Sequence, residues 1–258
     1  MKVVVVKIGS SVIAPGGVVN NAILESLVSD FEEVFQSQRK VVVVTSGAIA
    51  SGVKVLGLKT RPTQIEQLQA IASVGQIILM NHFLGGFSVF NRRCGQLLLT
   101  WDDFERRDRY LNVKRTIMQL LSQGIIPVIN ENDTVSTDEI KFGDNDKLSA
   151  LVANLIEAEM LLILSDVEGL FSGRDLVQDV HDIERDALPF VRPHSKTSLT
   201  RGGMLSKLEA ARITTAAGVK MVIASGKKPH VIQRVVCKQE REGTLFHPAV
   251  KKVGAKKR

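Results

Sequence analysis

The sequence predicts an α/β protein built on a parallel sheet with helices on both faces. Several short runs of residues are apolar throughout instead of alternating, which is typical of strands buried on both faces. Helical stretches with polar first residues lie between these runs, and this alternation of strand and helix indicates a parallel sheet. The chain has 258 residues, of which 44% are hydrophobic, so it can bury a core large enough for this fold.

The predicted strands and helices follow one another along most of the chain. Strands are predicted at residues 3–6, 41–44, 125–129, 161–164 and 221–224. Helices are predicted at residues 21–35, 64–84, 102–121, 144–157 and 204–217. Between residues 171 and 193, charged residues and two prolines replace clear periodicity, so this segment is a predicted boundary between two lobes.

The net charge of the chain is concentrated near its last residues. The formal charge is +7 at pH 7, but setting aside the five cations of residues 251–258 leaves about +2. We therefore interpret residues 251–258 as a solvated basic tail. A contact between this tail and nucleic acid is the less favoured alternative.

The cysteines and the apolar segments indicate the class of protein. Cys94 and Cys237 are the only cysteines, and their separation fits neither a disulfide framework nor a zinc site. The apolar N-terminal run is too short for a signal peptide, and no apolar run approaches the roughly 20 residues of a membrane span. The sequence therefore predicts a cytoplasmic protein that does not enter a membrane.

Glycines, small hydroxyl residues or acids follow the predicted strands. The segments read KIGSS at 7–11, TSGAIASG at 45–52, NENDTVS at 130–136, SDVEG at 165–169 and ASGKKP at 224–229. Ligands of such sheets lie beyond the carboxyl ends of the strands, where glycine lets the backbone approach an anion closely. Taken alone, each segment is better explained as a turn, so the predicted site depends on their coincidence.

Two common phosphate-binding layouts are absent from the sequence. No two glycines have Gly-x-Gly spacing, and no Gly-x-x-x-x-Gly-Lys-Ser/Thr loop is present, which excludes ordinary dehydrogenases and P-loop enzymes. The triplet Phe142-Gly143-Asp144 has no accompanying His-Arg-Asp catalytic loop, which argues against a protein kinase. A phosphate site in this chain must use another layout.

Two lysines and a set of acids are the candidate charged groups. Lys7 ends the first strand and Lys207 follows a glycine pair, so backbone amides are available beside both lysines. Solvent contact is the alternative for Lys7. The acids are Glu131, Asp133, Asp144 and Asp146. A helix cap explains one acid, and binding of a substrate ammonium or of the lysines explains the set.

A short hairpin is predicted at residues 135–142, between the two acid motifs. Such a projecting loop is a natural lid over the site, and an exposed connector without a role is the alternative. The lid is the favoured interpretation, because the loop lies between two acid motifs.

The same segments, taken in order, resemble a known enzyme family. They are residues 7–11 (KIGSS), 45–50 (TSGAIA), 128–133 (VINEND), 142–146 (FGDND) and 202–204 (GGM). With them the chain resembles the glutamate 5-kinases, a branch of the amino-acid kinase family, from residue 2 to about residue 246. The Asn-Glu-Asn-Asp and Gly-Asp-Asn-Asp motifs separate this branch from its relatives best.

The resemblance implies an αβα sandwich that transfers the γ-phosphate of ATP to the side-chain carboxylate of L-glutamate, the first step of proline biosynthesis. It implies a substrate lobe at about 1–160 and a nucleotide lobe at about 161–250. Mg²⁺ is expected to accompany ATP, with no metal ligand assigned in the protein. A homodimer or homotetramer and feedback inhibition by L-proline also follow from the resemblance.

Residue roles carry over motif by motif from this resemblance. Lys7 and Lys207 would stabilise the transferring phosphoryl group, and Asp146 would hold both lysines in position. Gly9, Ser10 and Gly47 would offer backbone amides to the phosphates. The glutamate-binding positions are Ser46, Gly47, Asp133, Asp144 and Asn145. The nucleotide-binding positions are Lys7, Gly9, Ser10, Ser165, Asp166, Arg201, Gly202, Gly203, Met204, Leu205, Ser206 and Lys207.

The chain departs from the family pattern in a few places. Ser165 replaces a usual threonine, and Arg201 stands where the family mostly carries a small residue. The chain ends soon after residues 243–246, so the RNA-binding-type C-terminal (PUA) domain of many members is expected to be absent. Two alternatives stay open: a family member acting on another small acid or phosphate, and a non-catalytic sensor that binds an amino acid or RNA.

Overall fold

One mainly parallel sheet organises the chain, as predicted. The computed structural model describes residues 2–136, 145–191 and 203–249. Its strands are β1 (Val3–Ile8), β2 (Lys40–Thr45), β3 (Arg93–Leu99), β4 (Ile125–Glu131), β5 (Met160–Ser165), β6 (Phe171–Ser172), β7 (Asp175–Leu176), β8 (Asp179–Val180), β9 (Lys220–Ser225) and β10 (Thr244–Phe246). Within these residues, eight strands form one sheet in the order β3-β4-β2-β1-β5-β9-β10-β8, while β6 and β7 pair separately. All neighbours in the large sheet are parallel except the antiparallel pair β9 and β10.

Helices cover both faces of the sheet. They are α1 (Ser10–Ile13), α2 (Asn21–Gln36), α3 (Ala48–Val55), α4 (Ile65–Ser88), α5 (Asp102–Glu105), α6 (Arg107–Ser122), α7 (Asn145–Leu155), α8 (Ile183–Asp186) and α9 (Met204–Ala216). Side chains of α2 and α4 form the core on one face, and those of α6, α7 and α9 form the core on the other. The three-layer αβα sandwich is therefore confirmed.

The strands supply both cores by strict alternation of their side chains. In β1, Val4 and Val6 belong to the first core, while Val3 and Val5 belong to the second. Successive side chains of a strand point to opposite faces, and helices cover both faces of this sheet, so all four valines are buried. A run that is apolar at every position is what a strand between two helical layers needs, which is why the central strands were predictable.

The structure differs from the predicted elements at one edge of the sheet. Strand β3 was not predicted. It lies at the sheet edge, and most of its residues are exposed or partly buried, so its sequence (RCGQLLL) includes polar residues and is not an apolar run. The helix predicted at residues 102–121 is divided into α5 and α6 at Arg106, whose extended φ of −88° and ψ of 121° end the first helix. Most of the predicted lid, residues 137–142, lies outside the described residues.

Helices α3 and α4 pack through two glycines. A Cβ atom added to Gly75 would lie 1.8 Å from the carbonyl oxygen of Ala48, and one added to Gly52 would lie 2.1 Å from that of Ile71. Real Cβ atoms never come so close to backbone atoms. The two helix backbones are therefore in direct contact, and this contact fixes the start of α3 against the middle of α4.

Helix α4 is long and apolar enough that length and composition alone would let it cross a membrane. In this fold, 44% of its most apolar 18-residue window is buried inside the protein. Leu79, Phe83 and Phe87 of α4 are fully buried in the first core, and Phe83 and Phe87 stack with ring centroids 6.1 Å apart. A core helix passes the same test as a membrane span, so this helix gives only weak evidence for one.

Candidate active site

A cavity of about 530 Å³ lies at the carboxyl ends of the central strands. It collects most of the residues that the sequence analysis selected, from segments far apart in the chain. These are Lys7, Gly9, Ser10, Ser46, Gly47, Asp133, Asn145, Ser165, Asp166, Gly203, Met204 and Lys207. Carboxyl ends of parallel strands meet at one edge of the sheet, which explains the convergence.

Three of the predicted residues have other positions, and three lie outside the described residues. Asp146 lies behind the cavity wall with no exposed surface, and Leu205 is 49% exposed outside the cavity. Ser206 is likewise not part of the wall, although its hydroxyl lies 3.4 Å from an oxygen of Asp146. Asp144, Arg201 and Gly202 lie outside the described residues, so their predicted roles stay predictions.

Asp146 joins the two candidate lysines. One carboxylate oxygen lies 2.6 Å from Nζ of Lys7 and the other lies 3.1 Å from Nζ of Lys207, and all three side chains are buried. Burial alone would raise the pKa of Asp146, but the charges of the two lysines and their hydrogen bonds outweigh it and lower the pKa. A single buried carboxylate therefore holds two cations at the wall of one cavity.

The three residues of this group belong to three different elements. Lys7 is in β1, Asp146 is in the first turn of α7, and Lys207 is in the first turn of α9. The two lysines together carry one positive charge more than Asp146 neutralises. This excess charge suits a cavity that takes up phosphate groups.

Asn145 organises the polar floor of the cavity. Its Nδ2 lies 2.7 Å from the Thr45 carbonyl oxygen, 3.0 Å from Oγ of Ser46 and 2.9 Å from Oδ1 of Asn130. Asn130 in turn donates to Gln76 of α4 at 2.7 Å. The side-chain oxygen of Asn145 is buried and has no hydrogen-bond partner among the described residues, so one acceptor at the cavity floor is left unsatisfied.

Asp133 and Arg61 place opposite charges on the same wall. Burial raises the pKa of Asp133 to about 6, although the positive charge of Arg61 acts in the opposite direction. Burial also lowers the pKa of Arg61, against the influence of Asp133. Desolvation therefore disfavours the ionised form of Asp133, whereas the Arg61 side chain stays exposed at the cavity wall.

Backbone amides face the cavity from two turns. The Gly9 amide donates to the Leu164 carbonyl at 3.0 Å. Contrary to the expectation from the sequence, it is therefore not available to a phosphate. The amides of Ser10 and Ser11 begin helix α1 and have no acceptor inside it. Gly47 precedes α3 with a φ of 118°, a left-handed conformation that glycine adopts without strain.

The described residues predicted to bind the nucleotide include the end of β5 and the start of α9. The Ser165 hydroxyl donates to the Asp166 carboxylate at 3.1 Å, and the Ser165 carbonyl accepts from the Gly226 amide at 2.8 Å. Gly203 immediately precedes α9 in an extended conformation. Ser165, Asp166 and Gly203 line the same cavity as Lys207.

Residues that sequence reasoning missed complete the cavity wall. Arg61 and Asn130 line the cavity, and Gln76 supports Asn130 from outside the wall. Glu131 accepts a hydrogen bond from Ser136 at 2.7 Å, which ties the start of the predicted lid to β4. Glu131, a candidate acid of the sequence analysis, also lines the cavity. Asn130 precedes it in the same motif and could have been selected, whereas Arg61 and Gln76 belong to no motif.

The described residues contain no group of three or more His, Cys, Asp or Glu side chains arranged to hold a metal ion. The cavity instead offers cations and amides, which suit the phosphates of ATP with its accompanying Mg²⁺. A second cavity of about 330 Å³ includes Arg39 and Arg92. Glu159 and Glu32 already pair with these arginines, so this second cavity is the weaker candidate site.

Comparisons with known proteins give the family. A model of the amino acid kinase family matches residues 2–225. The chain is 43% identical over 262 residues to a glutamate 5-kinase of Methylococcus capsulatus, covering 99% of this chain and 70% of that protein. It is 39% identical over 264 residues to a glutamate 5-kinase of Dictyoglomus turgidum, covering 99% and 70%. The chain belongs to the glutamate 5-kinase branch of the amino acid kinase family.

This glutamate 5-kinase family member also resembles a solved structure at much lower identity. A crystal structure of UMP kinase from Ureaplasma parvum matches with a TM-score of 0.63 and 14% identity, covering 96% of this chain and all of the other. At that identity the match supports the fold alone. The family assignment depends on the curated relatives and agrees with the resemblance found in the sequence.

Proposed function

We infer that the chain is an ATP-dependent kinase that phosphorylates the side-chain carboxylate of L-glutamate to give L-glutamyl 5-phosphate, the first step of proline biosynthesis. The observation that carries this inference is the buried Lys7–Asp146–Lys207 group in a cavity that also contains Asp133 and Asn145. The first three residues suit a transferring phosphoryl group. The last two suit the amino group of an amino acid.

The proposed reaction needs no general base. The side-chain carboxylate of free glutamate is ionised at neutral pH, with an ordinary pKa of about 4.3. One of its oxygens attacks the γ-phosphorus of ATP, a new bond forms between them, and the bond from this phosphorus to the bridging oxygen of ADP breaks. The main obstacle is repulsion between two anions, which the amino groups of Lys7 and Lys207 offset on the enzyme side.

The charge on the oxygens of the transferring group is spread in the transition state, and fixed cations stabilise it without rearranging. Asp146 keeps Lys7 and Lys207 close together despite their like charges. Ser10, Ser11 and Gly47 line the cavity, and we assign their backbone amides to the phosphates. Mg²⁺ bound with ATP supplies further neutralisation of the phosphate oxygens.

We assign the glutamate amino group to the other end of the cavity. Asp133 offers a carboxylate there, and the unpaired oxygen of Asn145 offers an acceptor. The Ser46 hydroxyl is held beside Asn145 at 3.0 Å. An ammonium group has three donors, so these acceptors complement it.

The pKa of Asp133, about 6 in the free protein, predicts a pH dependence. Only the ionised carboxylate attracts an ammonium group, and this carboxyl group is protonated below pH 6. We therefore expect kcat/KM for L-glutamate to fall about tenfold per pH unit below pH 6, with a proton released on binding in that range. Initial rates between pH 4.5 and 8 at saturating ATP measure it, and a flat profile across pH 6 would contradict the assignment.

The substrate is tested by a panel in a coupled assay of ADP release. L-glutamate with Mg-ATP is expected to give turnover, whereas N-acetylglutamate, aspartate, carbamate and uridine monophosphate are expected to give little. N-acetylation removes the charge that Asp133 recognises, and aspartate has a shorter side chain. Turnover of another member of the panel in preference to glutamate would replace the proposed substrate.

We further propose that the chain acts in the cytoplasm as a homodimer or homotetramer and that L-proline inhibits it at the glutamate site. Exposed apolar side chains on α3, on α4 and just after α4, including Val55 at 54%, Ile77 at 65% and Val89 at 71%, support a contact between copies. The cavity proposed to bind glutamate can also accept another amino acid, which supports inhibition by L-proline at this site.

The division into lobes at about residue 160 also stays a prediction.

A further inference from the structure

Arg61 is a charged residue of the cavity wall that no motif includes. It lies in the loop between α3, which ends at Val55, and α4, which begins at Ile65. It lines the same cavity as Lys7, Lys207 and Asp133. It is therefore a third cation available to a ligand in this cavity.

The other two cations already have a shared task. Lys7 and Lys207 both contact Asp146, at 2.6 Å and 3.1 Å, on the phosphate side of the cavity. Arg61 forms no ion pair within 4.0 Å in residues 2–136, 145–191 and 203–249, although Asp133 is near enough to influence it. The guanidinium of Arg61 and the carboxylate of Asp133 thus line one cavity without forming an ion pair with each other.

This arrangement complements the head group of an α-amino acid. Its ammonium and α-carboxylate are bonded to the same carbon, so their protein partners must be an anion and a cation that lie close to each other. Asp133 and Arg61 are such a pair, because both line this cavity and are near enough for their charges to interact. Asp133 is half-buried there, and Arg61 is exposed. A guanidinium also binds a carboxylate through two parallel hydrogen bonds.

We propose that Arg61 binds the α-carboxylate of L-glutamate and thereby makes the site selective for an α-amino acid over a simple carboxylate. This inference rests on the proposed function, because it takes the γ-carboxylate to lie at the lysines and the ammonium to lie at Asp133. Glutamate carries three charged groups. With Arg61, each has an oppositely charged partner on the cavity wall.

The test compares two ligands in two variants. 4-Aminobutyrate keeps the reacting carboxylate and the ammonium of glutamate and lacks only the α-carboxylate. In Arg61→Gln we expect KM for L-glutamate to rise about 30-fold, the effect of losing a charged hydrogen bond, with kcat changed less than about threefold. The inhibition constant of 4-aminobutyrate against glutamate is expected to change less than about twofold, because this compound makes no contact with Arg61.

Lys59→Gln is the matched control, since Lys59 lies in the same loop, is exposed and does not line the cavity. Its KM for glutamate should equal that of the wild type, and Arg61→Lys should recover part of the loss. An unchanged KM for ATP in every variant shows that the fold is intact.

Failure of the role proposed for Arg61 and failure of the proposed function would give different experimental results. Glutamate turnover by the wild type with an unchanged KM in Arg61→Gln overturns the role of Arg61 and leaves the proposed function standing. An equal loss of affinity for glutamate and 4-aminobutyrate also overturns that role. No ADP release with glutamate in the wild type overturns the proposed function and this inference together.

Discussion

Replacing Lys207 by alanine is expected to lower kcat for L-glutamate about 10³-fold, the scale seen when a fixed charge or donor at a transferring group is removed. The side chain is buried, and its Nζ lies 3.1 Å from Asp146 at the cavity wall. KM for ATP should change much less, because the backbone amides that we propose for the phosphates are unaffected. The coupled assay of ADP release measures both constants.

Lys147→Ala is the control for this variant. Lys147 is the residue after Asp146 in α7 and pairs with Glu209 of α9, so it joins the same two helices on their outer side. Removing this partly exposed ion pair should leave kcat within about twofold of the wild-type value. Comparable losses in both variants would mean that the helix contact matters and not the charge of Lys207.

Gly75→Ala is expected to reduce the free energy of unfolding by about 3 kcal/mol, at the upper end of the usual cost of overpacking. The new Cβ would lie 1.8 Å from the Ala48 carbonyl oxygen and 2.5 Å from the Gly52 amide nitrogen. Both contacts are backbone atoms, so helix α3 must move as a whole. For a chain of this size the melting temperature should fall by roughly 6–12 °C in thermal unfolding followed by circular dichroism.

Gly85→Ala, in the same helix, separates packing from helix propensity. A Cβ atom at Gly85 meets nothing within 4 Å, so alanine should stabilise the helix by up to about 1 kcal/mol. KM for glutamate should rise in Gly75→Ala only, because Ala48 and the following residues of α3 line the cavity. A Gly75→Ala protein as stable as the wild type would refute the backbone contact.

The central strands and the cavity residues at their ends were predictable for one physical reason. A strand covered by helices on both faces must be apolar at every position, and the first polar residue after it marks the sheet edge where ligands bind. Lys7 and Ser165 were found in this way. Asp146 was selected by its motif, and the structure adds the geometry that binds it to both lysines.

The remaining features depend on contacts between distant residues. Edge strand β3 keeps exposed side chains such as Arg93 and so lacks an apolar run. The supporting hydrogen bond from Asn130 to Gln76 joins residues 54 positions apart. The sequence of α4 around Gln76 contains no motif that predicts this hydrogen bond. Arg61 stands in a loop without periodicity, and its importance appears only when Asp133 is seen on the same wall.

Strand β1 occupies the middle of the sheet, hydrogen-bonded to β2 on one side and β5 on the other. The segments proposed for the two reactants thus follow adjoining strands, whose separation is fixed at about 4.8 Å by the hydrogen-bond ladder. An unbroken ladder leaves no hinge between these strands. The scaffold therefore works as a fixed template, and any closing movement that accompanies turnover must come from the loops above it.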